Sequence, residues 1–277
     1  MEYCDFIKIG KPEPLKQNLF SPRFPFRLLV AGTSESGKTS MVVNLLLGNK
    51  YSRLYPWIFG EKCKYKIPKN IDYGERYIPC NDLIIVAKHQ DEDLWETVRW
   101  FYEFIASDKR APWFEPVTFS MIGPEELPDI SAIKKTGRRI VMVFDDLAGE
   151  PIAIQQKIEE FFRSGRHSNI SPIYIAQHYF ETSMKIRANL THISLHHGGG
   201  GSLDNIKRIL RSKYDNYESL ARKIDSVTKK YFVIIDLKKP YDDPMSIRLR
   251  WDKPLSGYNK QEKMPIQDLY KNKVDVA

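Results

Sequence analysis

The chain has 277 residues, 42% of them hydrophobic, and a formal net charge of +8 at neutral pH. This length suits one α/β domain with insertions or a small extension, and the apolar content is enough for a substantial core. The basic excess suits a polyanionic partner, although a generic basic surface has the same composition.

Three cysteines without a C-x-x-C pair argue against a disulfide framework or a structural zinc site. With no apolar signal region and no run near the roughly 18 apolar residues of a membrane span, we expect an intracellular, soluble protein with no membrane segment.

The N-terminal segment, residues 1–26, is rich in proline, with Pro12, Pro14, Pro22 and Pro25. Proline fixes φ and removes a backbone donor, so this segment is expected to be an extended arm. The arm either lies along the domain or reaches a neighbouring subunit.

A phosphate-binding loop is predicted where a short apolar strand, residues 28–30, runs towards a helix. Gly32, Gly37, Lys38 and Thr39 fill the template G-x-x-x-x-G-K-[ST]. The glycines let successive backbone amides point at phosphate oxygens, and the helix N-terminus adds partial positive charge. Lys38 is expected to reach the β- and γ-phosphates of a nucleoside triphosphate, and the Thr39 hydroxyl to hold Mg²⁺. The residues expected to cradle the nucleotide are Gly32, Thr33, Ser34, Glu35, Ser36, Gly37, Lys38, Thr39 and Ser40.

The helix after this loop is predicted to stop at Gly48-Asn49, and an aromatic and basic insertion follows at about 50–80. Residues 50–79 hold seven aromatic and seven basic residues against three acidic ones. Such interleaving suits contacts with nucleic acid, and a packed irregular insertion uses the same residues. The sequence leaves both interpretations open.

Two apolar strands, residues 82–87 and 138–146, are predicted for the interior of a parallel sheet. The second ends in Asp145-Asp146, and a carboxylate at this position lies beside the Mg²⁺ of a phosphate loop. We assign Asp145 to the metal and Asp146 to orienting or deprotonating the attacking water. The alternative is that one or both aspartates start the following turn or cap the next helix.

A further strand, residues 170–176, ends in Gln177. An amide at this place either senses the γ-phosphate or simply ends the strand.

His196-His197 lack a third ligand at suitable spacing, so a metal is not expected there. The glycine run at 198–201 is expected to be a loop at the functional edge of the sheet. The other predicted elements are a helix over 91–107, a strand over 117–122, a helix over 151–163, a strand over 190–195, and a terminal hairpin of strands over 231–237 and 246–251.

Two other nucleotide-dependent classes fit fragments of the sequence. Asp146 to Gly149 match D-x-x-G, and Asn272 to Asp275 match the guanine-reading N-K-x-D of a switch GTPase. The second match lies in a charged tail and not at the end of a core strand, which argues against it. Residues 165–167 could form the arginine-bearing lid of a small-molecule kinase.

The ordered set of motifs at residues 32–40, 140–146, 164–171 and 173–180 resembles the poxvirus A32-like DNA-packaging ATPases. These belong to the FtsK/HerA group of P-loop motors, and the resemblance covers roughly residues 25–240. The arginine–histidine segment that leads into a strand ending in Gln-x-Tyr-Phe is its most specific part. One departure is Asp146, because many motors of the wider group have glutamate there.

The resemblance implies a RecA-like α/β P-loop fold, with a mostly parallel sheet flanked by helices and a strand inserted between the two nucleotide-contacting strands. It implies a homo-oligomeric ring that pumps double-stranded DNA into a capsid. It also implies that Gln177 is the sensor and that Arg166 is an arginine finger acting at a neighbour's ATP site, with Arg163 and Arg187 as second choices. From the residues alone, Arg166 is a surface residue.

The expected organisation is an extended arm over 1–26, a P-loop ATPase domain over 27–240, and a C-terminal strand and polar tail over 241–277. The expected function is ATP-driven translocation of double-stranded DNA, with ATP and Mg²⁺ as cofactors, a capsid or portal protein as partner, and a viral assembly site in the host cytoplasm. The alternatives are a cellular DNA translocase or helicase, a nucleotide-switch GTPase, and a scaffold that binds nucleotide without hydrolysing it.

Overall fold

The computed structural model describes residues 18–59, 71–133 and 137–255, which form one nine-stranded sheet with helices on its faces. The strands are β1 Leu28–Ala31, β2 Asp82–Ala87, β3 Thr118–Ile122, β4 Ile140–Asp145, β5 Ile170–Ala176, β6 His192–Leu195, β7 Val233–Asp236, β8 Ile247–Leu249 and β9 Lys253–Pro254. The helices are α1 Lys38–Ile58, α2 Asp93–Ser107, α3 Ile152–Ser164, α4 Met184–Arg187, α5 Leu203–Leu210 and α6 Tyr217–Thr228. Among these described helices, none has the length and apolarity needed to cross a bilayer.

The strand order is β3-β2-β4-β5-β1-β6-β7-β8-β9. Strands β1 to β6 pair in parallel, and β7, β8 and β9 continue the sheet in antiparallel fashion. Strand β5 separates β1, which leads into the phosphate loop, from β4, which ends in Asp145. The predicted mostly parallel sheet flanked by helices, with an inserted strand and an antiparallel C-terminal hairpin, is therefore confirmed. Residues 247–254 belong to the same sheet.

Alternate residues of the central strands feed two hydrophobic cores, one on each face of the sheet. Leu28 and Val30 pack with helices α1 and α2, whereas Leu29 and Ala31 pack with α3, α5 and α6. All four side chains are fully buried. Burial on both faces explains why these strands read as continuous apolar runs in the sequence.

Helix α1 does not stop where the sequence predicts. The backbone leaves helical geometry at Gly48 (φ 60°, ψ −156°) but resumes it and continues to Ile58. A Cβ at Gly48 would lie 2.0 Å from the carbonyl oxygen of Glu75, so the returning chain presses against the kink. The glycine therefore marks a kink that accommodates tertiary packing; the helix is interrupted where the sequence predicts, but a second helical segment follows at once.

The described part of the aromatic and basic insertion is packed into the domain. Lys50 and Arg76 are buried and share the carboxylate of Glu115. Trp57 and Tyr73 both pack against Trp113, outside the insertion. These contacts favour the packed alternative for residues 50–59 and 71–80.

Several predictions fall on residues outside the described ranges. They are those for most of the N-terminal arm (1–17), for residues 60–70 of the insertion, and for the polar tail with its N-K-x-D match (256–277).

Candidate active site

The phosphate loop lies between β1 and α1 at the carboxyl edge of the parallel strands. Gly37 immediately precedes α1 with φ 83°, a left-handed conformation that only glycine adopts without strain. Lys38 Nζ donates to the carbonyl oxygens of Gly32 (2.5 Å) and Thr33 (2.9 Å), which closes the loop into a ring. Burial lowers the pKa of Lys38, although Asp146 and Asp145 oppose that shift, so the ammonium lies within electrostatic reach of both carboxylates.

The glycine run after β6 packs directly against the phosphate loop. A Cβ at Gly199 would lie 2.0 Å from the carbonyl oxygen of Ala31, and one at Gly198 would lie 2.4 Å from Cγ2 of Thr33. Gly199 therefore leaves no room for a side chain against the backbone of β1, and a Cβ at Gly198 would collide with the Thr33 side chain. The loop lies at the functional edge, as its position after an apolar strand predicts.

Asp145, the last residue of β4, is half-buried next to α2. Burial raises the pKa of its carboxyl to about 6, with further contributions from the negative charges of Glu92 and Asp146. The indole Nε1 of Trp95 donates to Asp145 Oδ2 at 2.8 Å and fixes the carboxylate orientation. The predicted helix over 91–107 gives no sign of this contact, because nothing in the spacing of Trp95 reveals a polar partner on another element.

Asp146 follows with φ 51°, in the left-handed region. Its backbone amide donates to Ile175 O at 3.1 Å, which ties it to β5. Its exposed carboxylate accepts a hydrogen bond from Gln177 Nε2 at 3.2 Å. Neighbouring parallel strands thus place Asp145, Asp146 and Gln177 together at the edge that carries the phosphate loop.

Arg166 is not part of this group. It lies in a single helical turn, Gly165–Ser168, just before the amino end of β5. Strand β5 has seven residues, so about 20 Å of backbone separates this turn from Gln177. Arg166 is exposed and lines a pocket of about 190 Å³ together with Arg27 and Lys238. A kinase-type lid over the phosphates of the same chain is excluded, because the turn is at the opposite edge of the sheet.

The oxygen donors near the loop fit a magnesium ion that shares the phosphates of a nucleotide. Mg²⁺ usually takes one or two protein ligands, with water and phosphate oxygens completing its shell. The Thr39 hydroxyl, in the first turn of α1, and the Asp145 carboxylate supply such ligands. Burial, with smaller contributions from Glu92 and Asp146, raises the pKa of Asp145, and a bound cation would favour its ionised form. Within the described residues, no group of three or more His, Cys, Asp and Glu side chains could hold a metal by itself.

We expect Trp95→Phe to lower the turnover number for ATP hydrolysis about tenfold to a hundredfold, because Asp145 loses the hydrogen bond from the indole. Steady-state hydrolysis with a parallel thermal melt measures this effect. Trp113→Phe is the matched control, since Trp113 packs among aromatic rings remote from the site. Equal losses in the two variants would mean that Trp95 only fills the core.

Asp146→Asn is expected to keep the backbone conformation, because asparagine tolerates positive φ. We expect a loss in turnover of about 10²-fold or more, since the amide cannot accept a proton from water. Asp146→Glu is expected to keep the charge but to lower stability by about 1 kcal/mol, because a longer side chain is less favourable at φ 51°. Unchanged turnover in Asp146→Asn would remove Asp146 from the chemistry.

Known proteins are similar to this chain in the sequence of its middle part, and others align with its structure. Residues 124–236 match the family model described as Poxvirus A32 protein. The DNA packaging protein OPG160 of variola virus is 26% identical over 180 residues, which are 64% of this chain and 54% of the viral protein. OPG160 of vaccinia virus (strain Copenhagen) is 25% identical over 179 residues, with the same coverage. The chain therefore spans about half the length of the curated relatives it matches.

Two solved structures are also similar. The DNA-packaging ATPase B204 of Sulfolobus turreted icosahedral virus aligns with a TM-score of 0.45 and 14% identity, over 78% of this chain and 98% of that chain. B204 of Sulfolobus turreted icosahedral virus 2, in complex with AMP, aligns with a TM-score of 0.45 and 11% identity, over 81% and 96% of the two chains.

The family match includes three of the four motifs that carry the resemblance seen in the sequence. Asp145, Asp146, Arg166 and Gln177 all lie within residues 124–236, whereas the phosphate loop precedes the matched segment. The resemblance to the poxvirus A32-like proteins is therefore confirmed over this segment of the chain.

Proposed function

We propose that this protein is an ATP-driven translocase of double-stranded DNA that packages a viral genome into a capsid. One observation carries the proposal. The phosphate loop, Asp145, Asp146 and Gln177 converge at one edge of a sheet with an inserted strand, in a chain whose middle matches the A32 family. The relatives at 25–26% identity are named DNA packaging proteins, which supports the choice of DNA as the moved substrate.

The proposed chemistry is in-line attack of water on the γ-phosphorus of ATP. Lys38 neutralises charge on the β- and γ-phosphates, and Mg²⁺, held through Thr39 and Asp145, would supply further positive charge there. Asp146 orients the attacking water and takes its proton, while Gln177, bonded to Asp146, reports the state of the γ-phosphate to the rest of the molecule.

The proposed role of Arg166 requires a second subunit. Because Arg166 is at the amino edge of the sheet and the phosphate loop at the carboxyl edge, one chain cannot bring them together. A head-to-tail ring would place Arg166 of one subunit against the nucleotide of the next, where its guanidinium stabilises charge on the transferred phosphoryl group. Arg27 and Lys238, which line the same pocket, would add positive charge at that contact.

The proposed partners are double-stranded DNA, to which the net charge of +8 is suited, and a capsid or portal protein. The proposed place of action is the site of virus assembly in the host cytoplasm. We propose the domain organisation stated above, with an arm over 1–26, an ATPase domain over 27–240 and a terminal extension over 241–277.

The test is phosphate release from ATP by the full chain, with duplex DNA, single-stranded DNA or no DNA, and with Lys38→Ala protein as the blank. Stimulation by duplex alone supports the packaging motor. Equal stimulation by single strands favours a helicase, and nucleotide binding without turnover favours a scaffold. Hydrolysis of GTP in preference to ATP would favour the switch GTPase.

A further inference from the structure

A second pocket opens beside the phosphate loop, on the side that faces away from β4 and β5. It has a volume of about 390 Å³. One wall is the loop itself, residues 33–37, and the other consists of His196, His197 and residues 228–232. Strand β6 ends and the antiparallel strand β7 begins at this place, so both walls stand at the carboxyl edge of the parallel sheet. We propose that this pocket binds the nucleoside, base and ribose, of the nucleotide whose phosphates occupy the loop.

The strand order determines which end of a bound nucleotide points towards the pocket. The loop follows β1, the hydrolytic residues follow β4 and β5 on one side of it, and the pocket lies beside β6 and β7 on the other. This inference rests on the proposed function, in which the terminal phosphate meets Asp146 and Gln177. The opposite end of the nucleotide must then leave the loop towards β6 and β7, where the pocket begins.

The chemistry of the wall suits a flat heterocycle. The rings of His196 and Phe232 are stacked, with centroids 5.0 Å apart and planes at 16°. His196 Nδ1 lies 2.9 Å from the carbonyl oxygen of Ser36, which attaches this stack to the phosphate loop. Aromatic side chains on such a wall bind nucleobases through their faces, whatever the base.

His196 also offers an unused polar atom. Burial, together with the nearby charge of Lys38, lowers the pKa of His196 to about 4, so the ring is neutral at neutral pH. With Nδ1–H donating to Ser36, Nε2 is an acceptor. It is buried and makes no hydrogen bond within the described part of the chain. A buried acceptor without a partner is costly, and a ligand donor in the pocket would satisfy it.

The test compares a nucleotide with a ligand that has only its phosphates. Isothermal titration with Mg²⁺ present measures binding of AMP-PNP and of inorganic tripolyphosphate to the wild type, to Phe232→Leu and to Tyr241→Leu. Leucine at 232 keeps apolar volume but removes the flat ring, and Tyr241, which is exposed, is not among the residues lining the pocket. We expect Phe232→Leu to weaken AMP-PNP about tenfold and to leave tripolyphosphate unchanged. Tyr241→Leu should change neither.

The outcomes separate this inference from the proposed function. Equal affinity of the wild type for both ligands, or AMP-PNP binding unchanged in Phe232→Leu, overturns the nucleoside pocket but leaves the phosphate site standing. Failure of the wild type to bind either ligand overturns both. Photolabelling of the wild type with 8-azido-ATP needs no variant. Adducts at 196–197 or 228–232 are expected, and adducts only on the β4–β5 side overturn the assignment.

Discussion

Replacing Arg166 with alanine is expected to slow ATP hydrolysis about 10³-fold or more while leaving nucleotide affinity nearly unchanged. The side chain is exposed at the amino edge of the sheet, far from the phosphate loop of its own subunit. A large loss in turnover can therefore arise only if Arg166 acts at another subunit's site. Turnover and AMP-PNP affinity, measured on the same preparation, check both parts of the expectation.

Mixing two inactive variants tests the same role more sharply. An Arg166→Ala subunit keeps its phosphate loop, and a Lys38→Ala subunit keeps its Arg166. In an equal mixture of head-to-tail subunits, about one interface in four brings the intact phosphate loop of an Arg166→Ala subunit together with the intact Arg166 of a Lys38→Ala subunit. Activity should therefore reappear at roughly a quarter of the wild-type level per subunit.

Arg163 provides the control for this experiment. It is exposed one turn earlier, on α3, and is paired with Glu160 at 2.5 Å. Arg163→Ala should retain activity. If Arg163→Ala is inactive while Arg166→Ala is active, the finger is Arg163; if no mixture recovers activity, neither acts across an interface.

Glu115→Ala is expected to lower the free energy of unfolding by about 3–5 kcal/mol, because it leaves two buried cations without their counter-ion. Arg76 donates to Glu115 Oε2 through Nε (2.8 Å) and a terminal nitrogen (2.5 Å), and Lys50 donates to the other oxygen. Arg76 is 3% exposed and Lys50 5%. In a thermal melt, we expect the melting temperature of Glu115→Ala to lie roughly 10 °C below that of the wild type.

The pH dependence of Glu115→Gln checks the electrostatic origin of that loss. Burial opposes ionisation of Glu115, but Arg76 and Lys50 outweigh it and hold the pKa of the carboxyl below its ordinary 4.5. The stabilisation is thus present above pH 4.5 and disappears as the pH falls through the lowered value. The stability gap between wild type and Glu115→Gln should narrow below pH 4.5. A gap independent of pH, or an equal loss in the exposed-site control Glu103→Ala, would contradict the ion network.

The features that the sequence predicted are those that short patterns specify. The phosphate loop depends on spacing within nine residues, Gly32 to Ser40, and the central strands depend on burial of both faces, which makes their sequences uniformly apolar. Polar residues that end parallel strands meet at one edge, so the proximity of Asp146 and Gln177 follows once β4 and β5 are neighbours.

What the sequence did not predict depends on contacts between distant segments. Gly48 looks like a helix end, but the chain at Glu75 makes it a kink, and that approach is invisible in a local window. Trp95 looks like a core residue, and it is one, yet its indole also holds Asp145. The left-handed backbone at Asp146, with φ 51°, is likewise invisible in the sequence, and aspartate tolerates it better than most residues do.

Because the length of β5 separates Arg166 from the phosphate loop, the number of complete active sites depends on how the subunits assemble. If each complete active site is formed by two subunits, a solitary subunit has no complete site. An open row of n subunits then has n − 1 complete sites, because the subunit at one end lacks a neighbour. Only closure gives every subunit a complete site. Specific activity should therefore rise with protein concentration and level off when the assembly closes, so that dilution alone switches the enzyme off.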